Sequence, residues 1–297
     1  MKLVNMKKML AKAYKEKYAI PHININNLEW AKITLLTAEE CKSPIIVAFS
    51  PKTIEYVGGY HVAAWLIKNL IWDLNISVPV ALHLDHGNYD ECLKAIEAGF
   101  SSIMYDGSCE EFKINCKNTK ALSEIAKKNY VSLEVEIGKI GSCEDNKFVQ
   151  GAISNLEEVK EISKLDICCL AIGINNFHGE YPKDWNGLDF ELLKKINAAI
   201  NLPLVLHGGS QIPEEQIIKS IGFGISKINI NTELQIVYAN ALKEYMEINN
   251  LDENRNYDPR KINKFAMQKM KEVLIEKFKV FNSINKAKWW RKSLNIY

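Results

Sequence analysis

The sequence predicts a (β/α)8 barrel, an α/β fold, with a C-terminal helical extension. Three observations carry this: strand-like apolar runs recur eight times, amphipathic segments separate them, and no linker breaks the alternation. The runs are YAIPHININ (18–26), PIIVAFS (44–50), PVALHLDHG (79–87), SSIMYD (101–106), VSLEVEIG (131–138), CCLAIGI (168–174), PLVLHGG (203–209) and ISKININ (225–231). Their nearly continuous apolar character is expected of parallel strands covered on the outer face by helices. Between and after them, LEWAKITLLTAEE, YHVAAWLIKNLIWDL, DECLKAIEAG, TKALSEIAKKN, LEEVKEISKL, DFELLKKINAAI, PEEQIIKSIG and TELQIVYANALKEYMEI repeat apolar residues at three- and four-residue spacing, the period of a helix with one buried face. The expected barrel spans about 18–248, and residues 1–297 read as one domain. From about Asn249 onward, the polar NLDENRNYDPRK leads into AMQKMKEVLIEKFKVF, a loop followed by added helix.

With 297 residues, 47% of them hydrophobic, the chain can bury one large core. Its 38 basic and 36 acidic residues leave a net charge of +2 and are mixed along the chain, so no nucleic-acid footprint is expected and the partner should be a small molecule. No segment reaches about 18 uninterrupted apolar residues, and the lysine-rich N-terminus lacks the apolar stretch of a signal peptide, so no membrane contact is expected. Seven cysteines form no CxxC pair. That pattern suits thiols kept reduced in the cytoplasm.

In such a barrel the chemistry belongs at the C-terminal ends of the strands. Four of the six histidines fall there: His83 and His86 after PVAL, His178 after CCLAIGI, and His207 after PLVL. Three neutral imidazoles leave a zinc ion its full charge and an open coordination position, as a Lewis acid requires. Strand alternation puts His83 and Asp85 on one side, but it cannot choose between His83 and His86 as ligand where the strand bends. Asp85, Asp106, Glu134, Glu136 and Glu144 also lie at or just past strand ends, and Glu134 and Glu136, two apart, share a side. HGGSQIP (207–213) and KININ followed by TEL (227–234) sit where barrels of this type hold a phosphate on backbone N–H groups.

HLDHG, VEIGKIG with ED after it, FHGEY, VLHGGS, KININ and YDPRK occur in the order and approximate spacing of the class II, zinc-dependent ketose-bisphosphate aldolases. The chain resembles that family over nearly its whole length, and its fructose 1,6-bisphosphate branch most. The resemblance implies reversible cleavage of fructose 1,6-bisphosphate to dihydroxyacetone phosphate and glyceraldehyde 3-phosphate, with zinc holding the enediolate. It implies His86, His178 and His207 as zinc ligands, with His83 beneath them; Asp85 as acid/base at the C4 hydroxyl; Asp106 and Glu136 as a second divalent position; and Glu144 as the proton carrier at the dihydroxyacetone-phosphate carbon. Gly179, Gly208, Gly209, Ser210, Asn229, Asn231 and Thr232 match positions that hold dihydroxyacetone phosphate, with a monovalent cation near that loop. Asn26 and Ser50 match substrate-facing positions, Lys183 stands one step beyond the family's usual lysine, and Arg260 matches an arginine that reaches the other phosphate across a homodimer or homotetramer. The chain departs from the family pattern in INNFHG, at Ser142, at Pro182 and at Gln211.

Asn231 and Asp258 resemble the fructose-specific branch; a tagatose 1,6-bisphosphate aldolase is the alternative. A catalytically silent phosphometabolite-binding barrel should have lost a ligand or Asp85. A Schiff-base aldolase needs an inner lysine, for which Lys227 alone qualifies. A metal-dependent hydrolase would open with an HxH pair where this chain has only His22.

Overall fold

A computed structural model describes residues 3–144, 147–149, 151–288 and 290, without the side chains at 143, 144, 147 and 148. Its strands are β1 (Ile20–Asn24), β2 (Ile45–Phe49), β3 (Val80–Gly87), β4 (Ser102–Tyr105), β5 (Ser132–Ile137), β6 (Gly141–Glu144), β7 (Lys147–Val149), β8 (Cys169–Ile172), β9 (Phe177–Gly179), β10 (Leu204–Leu206) and β11 (Ile225–Ile230). Eight of them close a parallel barrel in the order β1-β11-β10-β8-β5-β4-β3-β2, each predicted run supplying one strand. The helices between them bear the apolar faces that the spacing requires. Helix Tyr89–Ala98 is representative: Asn88 and Glu91 form a capping box, the left-handed Gly99 stops the helix, and Cys92, Ala95 and Ala98 face inward.

Alternation divides each strand's side chains between two cores. The outward set, including Ile23, Val47, Leu82, Val135, Ile172 and Ile228, packs under the helices. The inward set begins with an apolar floor of Ile20, Ile46, Ala81, Met104, Cys169, Ala171 and Val205. Helix Met6–Glu16 closes this floor by inserting Met6, Met9, Leu10 and Ala13, all fully buried. Its approach is fixed by Val4 N–H on Val80 O at 3.0 Å and Met6 N–H on Ser132 Oγ at 3.0 Å. The polar rim above therefore opens at one end only.

Three features are additional to the predicted elements. Helix Pro51–Val57 follows β2, and helix Met6–Glu16 stands in the lysine-rich N-terminal stretch. Beyond β5 the expected loop contains a small sheet, in which β6 pairs antiparallel with β7 and parallel with β9. In the extension, helix Pro259–Val280 packs against helices Thr232–Ile248 and Leu28–Cys41. Among the described residues no helix is long and apolar enough to cross a membrane, and the described cysteines are free thiols.

Because Leu10 fills the closed end of the barrel, Leu10→Ala should cost about 2–5 kcal/mol of stability. Urea unfolding checks this; a loss below about 1 kcal/mol would show that the floor collapses around the gap.

Candidate metal centre and active-site cavity

β3 carries the decisive local irregularity. His83 and Asp85 point into the barrel by alternation. The β3–β4 register then shifts between Leu84 and Gly87, and His86 takes a left-handed φ of 53°. A bulge of this kind re-aims a side chain, so the His86 ring, which regular alternation would send outward, also turns inward. His83 stays below, fully buried, with Nδ1 2.7 Å from Ser102 Oγ. His86 instead meets His178 of β9 and His207, which follows β10.

The ring centroids of His86, His178 and His207 lie 5.0, 4.7 and 5.7 Å apart, and His86 Nε2 is 3.0 Å from His207 Nδ1. One ligand atom from each of the three lies within 4.8 Å of the others. Tetrahedral zinc with Zn–N bonds of about 2.0–2.1 Å needs nitrogens roughly 3.3 Å apart, so this donor set fits a single zinc ion. Its electrostatics agree. Burial disfavours a charged His86, yet Asp85, Asp106 and Glu136 raise it to about 10, while burial and His86 lower His178 to about 4. The surroundings thus favour positive charge at His86 beside a neutral His178.

A second group, His86, Asp106 and Glu136, shares His86 with the first. Asp106 receives His86 Nδ1 at 2.7 Å on one oxygen and the Ser108 hydroxyl at 2.7 Å on the other. Glu136 Oε2 is buried with no hydrogen-bond partner among the described residues, and burial raises this carboxyl to about 8. An unpartnered buried oxygen beside an aspartate suits a hard cation.

Asp85 is held by Asn24 Nδ2 at 2.8 Å and Asn229 Nδ2 at 3.4 Å. Burial alone would raise its carboxyl, but His22, His86, His207 and Lys227 hold it well below the usual carboxylate range. Asp85 therefore presents an ionised carboxylate to the cavity. That cavity, of about 570 Å³, is lined by Asp85, His86, Asp106, Glu136, His178 and Gly179, and also by Ser50, Gly208, Ser210, Asn229, Asn231 and Thr232.

The turn after β10 is built by exclusion. Gly208 has φ +66°, and a Cβ there would lie 1.8 Å from Phe177 O. Only glycine lets β10 pass so close to the strand that carries His178. Asn176 donates to His207 O at 3.0 Å, and Tyr181 Oη donates to Gly208 O at 2.8 Å, fixing the same two segments together. Ser210 Oγ accepts from the N–H groups of Asn231 and Glu233, both at 3.3 Å, where helix Thr232–Ile248 begins. Helix start and glycine turn thus meet at one corner of the cavity.

Several sequence expectations are placed differently. Asn24 lines the cavity and Asn26 does not, because β1 ends at Asn24 and the chain turns toward the helix cap at Asn27. Gly209 is also off the wall: its N–H donates to Asn229 O at 2.9 Å, and it serves close packing against Ile228. Lys183 is exposed and away from the cavity, where Lys52 and Lys139 are the lysines present. Arg260 lies outside its own cavity; its guanidinium is 81% exposed and paired with Asp258 at 2.7 Å. The Glu144 side chain falls outside the described residues, although its strand is placed: β6 pairs with β9, setting Ser142 opposite His178. Lys227 is fully buried against Glu134 at 2.8 Å, below the cavity. Sequence reasoning missed Lys52, at the start of helix Pro51–Val57, and Lys139, just past β5, since nothing in the sequence distinguishes them from the many solvated lysines.

Residues 4–286 match the family described as fructose-bisphosphate aldolase class-II. The fructose-bisphosphate aldolase of Ureaplasma parvum serovar 3 is 50% identical over 287 residues, which cover 96% of this chain and 99% of the relative. That of Streptococcus pyogenes serotype M3 is 41% identical over 293 residues, covering 97% and 100%. The crystal structure of the YdjI aldolase from Escherichia coli K12 is similar with a TM-score of 0.81 at 28% identity, covering 97% of this chain and 100% of that one. A putative fructose-1,6-bisphosphate aldolase from Coccidioides immitis gives 0.84 at 27%, covering 95% and 97%.

If the bulge rather than simple alternation selects the ligand, His86→Ala should weaken zinc binding by more than about 100-fold, whereas His83→Ala should stay within about tenfold of the parent. Competition with a chromophoric chelator measures both, and the reverse order would refute the assignment.

Proposed function

The chain belongs to the class II fructose-bisphosphate aldolase family, and on that basis we propose that it cleaves fructose 1,6-bisphosphate reversibly to dihydroxyacetone phosphate and glyceraldehyde 3-phosphate. The observation that carries this is the convergence of His86, His178, His207 and Asp85 on one cavity that also has the corner where a helix start meets a glycine turn. Zinc bound by the three imidazoles supplies a Lewis acid that accommodates the charge left when C3–C4 breaks.

The protein's own groups do the rest. Asp85, oriented by Asn24 and Asn229, takes the C4 hydroxyl proton as the bond breaks and returns it in the condensation direction. Glu144 moves the proton at the carbon of dihydroxyacetone phosphate that becomes bonded. The pairing of its strand with β9 supports this role, because it ties the hairpin to the segment bearing His178. Gly179, Gly208, Ser210, Asn229, Asn231 and Thr232 bind the dihydroxyacetone-phosphate half, and Ser50 faces the rest of the substrate. Lys52 and Lys139, which line the cavity, supply positive charge for the substrate phosphates where Lys183 does not reach.

Asp106 and Glu136 with His86 make a second divalent position. We also infer a monovalent cation near the phosphate loop, where the buried Asn231 Oδ1 has no hydrogen-bond partner among the described residues. The outward exposure of Arg260 supports its binding the distal phosphate of a neighbouring subunit in a homodimer or homotetramer. The free thiols suit a cytoplasmic protein.

Chelation should abolish cleavage, and zinc or cobalt should restore it. Borohydride should trap no ketose on Lys227. Retained activity after complete metal removal would overturn the reading.

Asp85→Ala should keep its zinc yet lose about 10²–10⁴-fold in cleavage rate, and Glu144→Ala should also slow tritium exchange into dihydroxyacetone phosphate. Parent-like rates in either variant would refute that residue's role.

A further inference from the structure

Directly under the metal centre, buried side chains from separate strands meet at Glu134 of β5. Glu134 Oε1 lies 2.9 Å from His207 Nε2, and Lys227 Nζ of β11 approaches both carboxylate oxygens, at 2.9 and 2.8 Å. Cys169 Sγ of β8 is 3.5 Å from Oε2. Glu134, Lys227 and His207 have no exposed surface, and neither Glu134 nor Lys227 lines the cavity, so neither can touch a substrate there.

The arrangement has a direction. A carboxylate paired with an ammonium has no hydrogen to offer, so the hydrogen in the 2.9 Å contact belongs to His207 Nε2. Nδ1 of the same neutral ring then carries the lone pair, and Nδ1 is the atom that stands 3.0 Å from His86 Nε2 in the converging group. Lys227 contacts both oxygens and so limits rotation of the carboxylate about its own bond.

We propose that Lys227 and Glu134 are positioning residues for the metal centre: Lys227 balances the buried charge of Glu134 and keeps it ionised, and Glu134 fixes His207 in the tautomer and orientation that turn Nδ1 toward the metal. This inference rests on the zinc-dependent reading above. A carboxylate behind a ligating histidine is a general way of orienting the ring and raising its basicity. In this chain the carboxylate is itself held by the one buried lysine among the described residues, from a strand three places round the barrel.

The test uses the full-length protein and measures zinc affinity by chelator competition alongside fructose 1,6-bisphosphate cleavage. Glu134→Ala should weaken zinc binding 10–100-fold and Lys227→Met about tenfold, whereas Lys227→Met/Glu134→Gln should recover to within about threefold of the parent. The double variant keeps an acceptor oxygen for His207 and leaves no unpaired buried charge, so it decides the matter even where a single variant fails to fold. Nitrogen-15 histidine spectra of the zinc-loaded parent, with His207 assigned by its loss in His207→Asn, should show hydrogen on Nε2 and metal on Nδ1. Zinc on Nε2, or a double variant as weak as Glu134→Ala, would overturn the proposal. A parent that neither binds zinc nor cleaves the sugar overturns the functional reading itself. If instead the parent does both and all three variants bind zinc equally tightly, only the positioning role fails.

Discussion

A carboxylate and an ammonium, Glu134 and Lys227, meet at the centre of this barrel with no water-exposed surface, and the order of the site above depends on that contact. A buried ion pair is repaid for lost solvation only when its geometry is close and its remaining valences are satisfied. Here His207 and Cys169 add contacts to Glu134. On the same level His83 is tied to Ser102, and His22 is tied to Asn24, which in turn holds Asp85. This polar layer separates an apolar floor from a polar cavity. Every group in it springs from a barrel strand or a strand end, so the rigidity of the backbone ladder reaches the reacting groups through one set of hydrogen bonds.

The arrangement also explains a division of labour among chemically identical residues. His22, His83, His86 and His207 all face the barrel interior. Those deep in the layer are held neutral by burial and by Lys227, His22 being lowered to about 3. His86 stands higher, among three carboxylates, and favours positive charge. Height within one barrel, set by three residues and a bulge along β3, is enough to separate a ligand from a packing element.

Much of this was legible because barrel strands alternate and their ends are marked by polar residues. All eight barrel strands follow from apolar runs, and the rim positions of His86, His178, His207 and Asp85 follow from where those runs end. The rest depends on backbone details with no side-chain signature. His86 turns inward through a bulge that alternation cannot express, and Asn24 rather than Asn26 reaches the cavity because β1 stops two residues early. The small sheet β7-β6-β9 is built from strands of three or four residues, too short to show a period. The helix Met6–Glu16 did carry a signal, Met6, Met9, Leu10 and Ala13 at helical spacing, but the lysines between them obscured it. Lys52 reaches the cavity from a short helix after β2 that the sequence did not announce, and Lys139 from the segment just past β5.

That first helix has a consequence for how the chain is made. It is synthesised ahead of the barrel strands, yet the surface it seals is assembled from Ile20, Ile46, Ala81, Met104, Cys169 and Val205, contributed by strands spread over most of the chain. Its apolar face has no complete receptor until β11 has been synthesised and has closed the barrel against β1. Contacts of such long sequence separation form late, because the loop entropy must be lost before they are gained. The exposed lysines interleaved with Met6, Met9 and Leu10 keep the waiting segment solvated through that interval. A segment translated ahead of every barrel strand thus completes the closed end of the barrel after them.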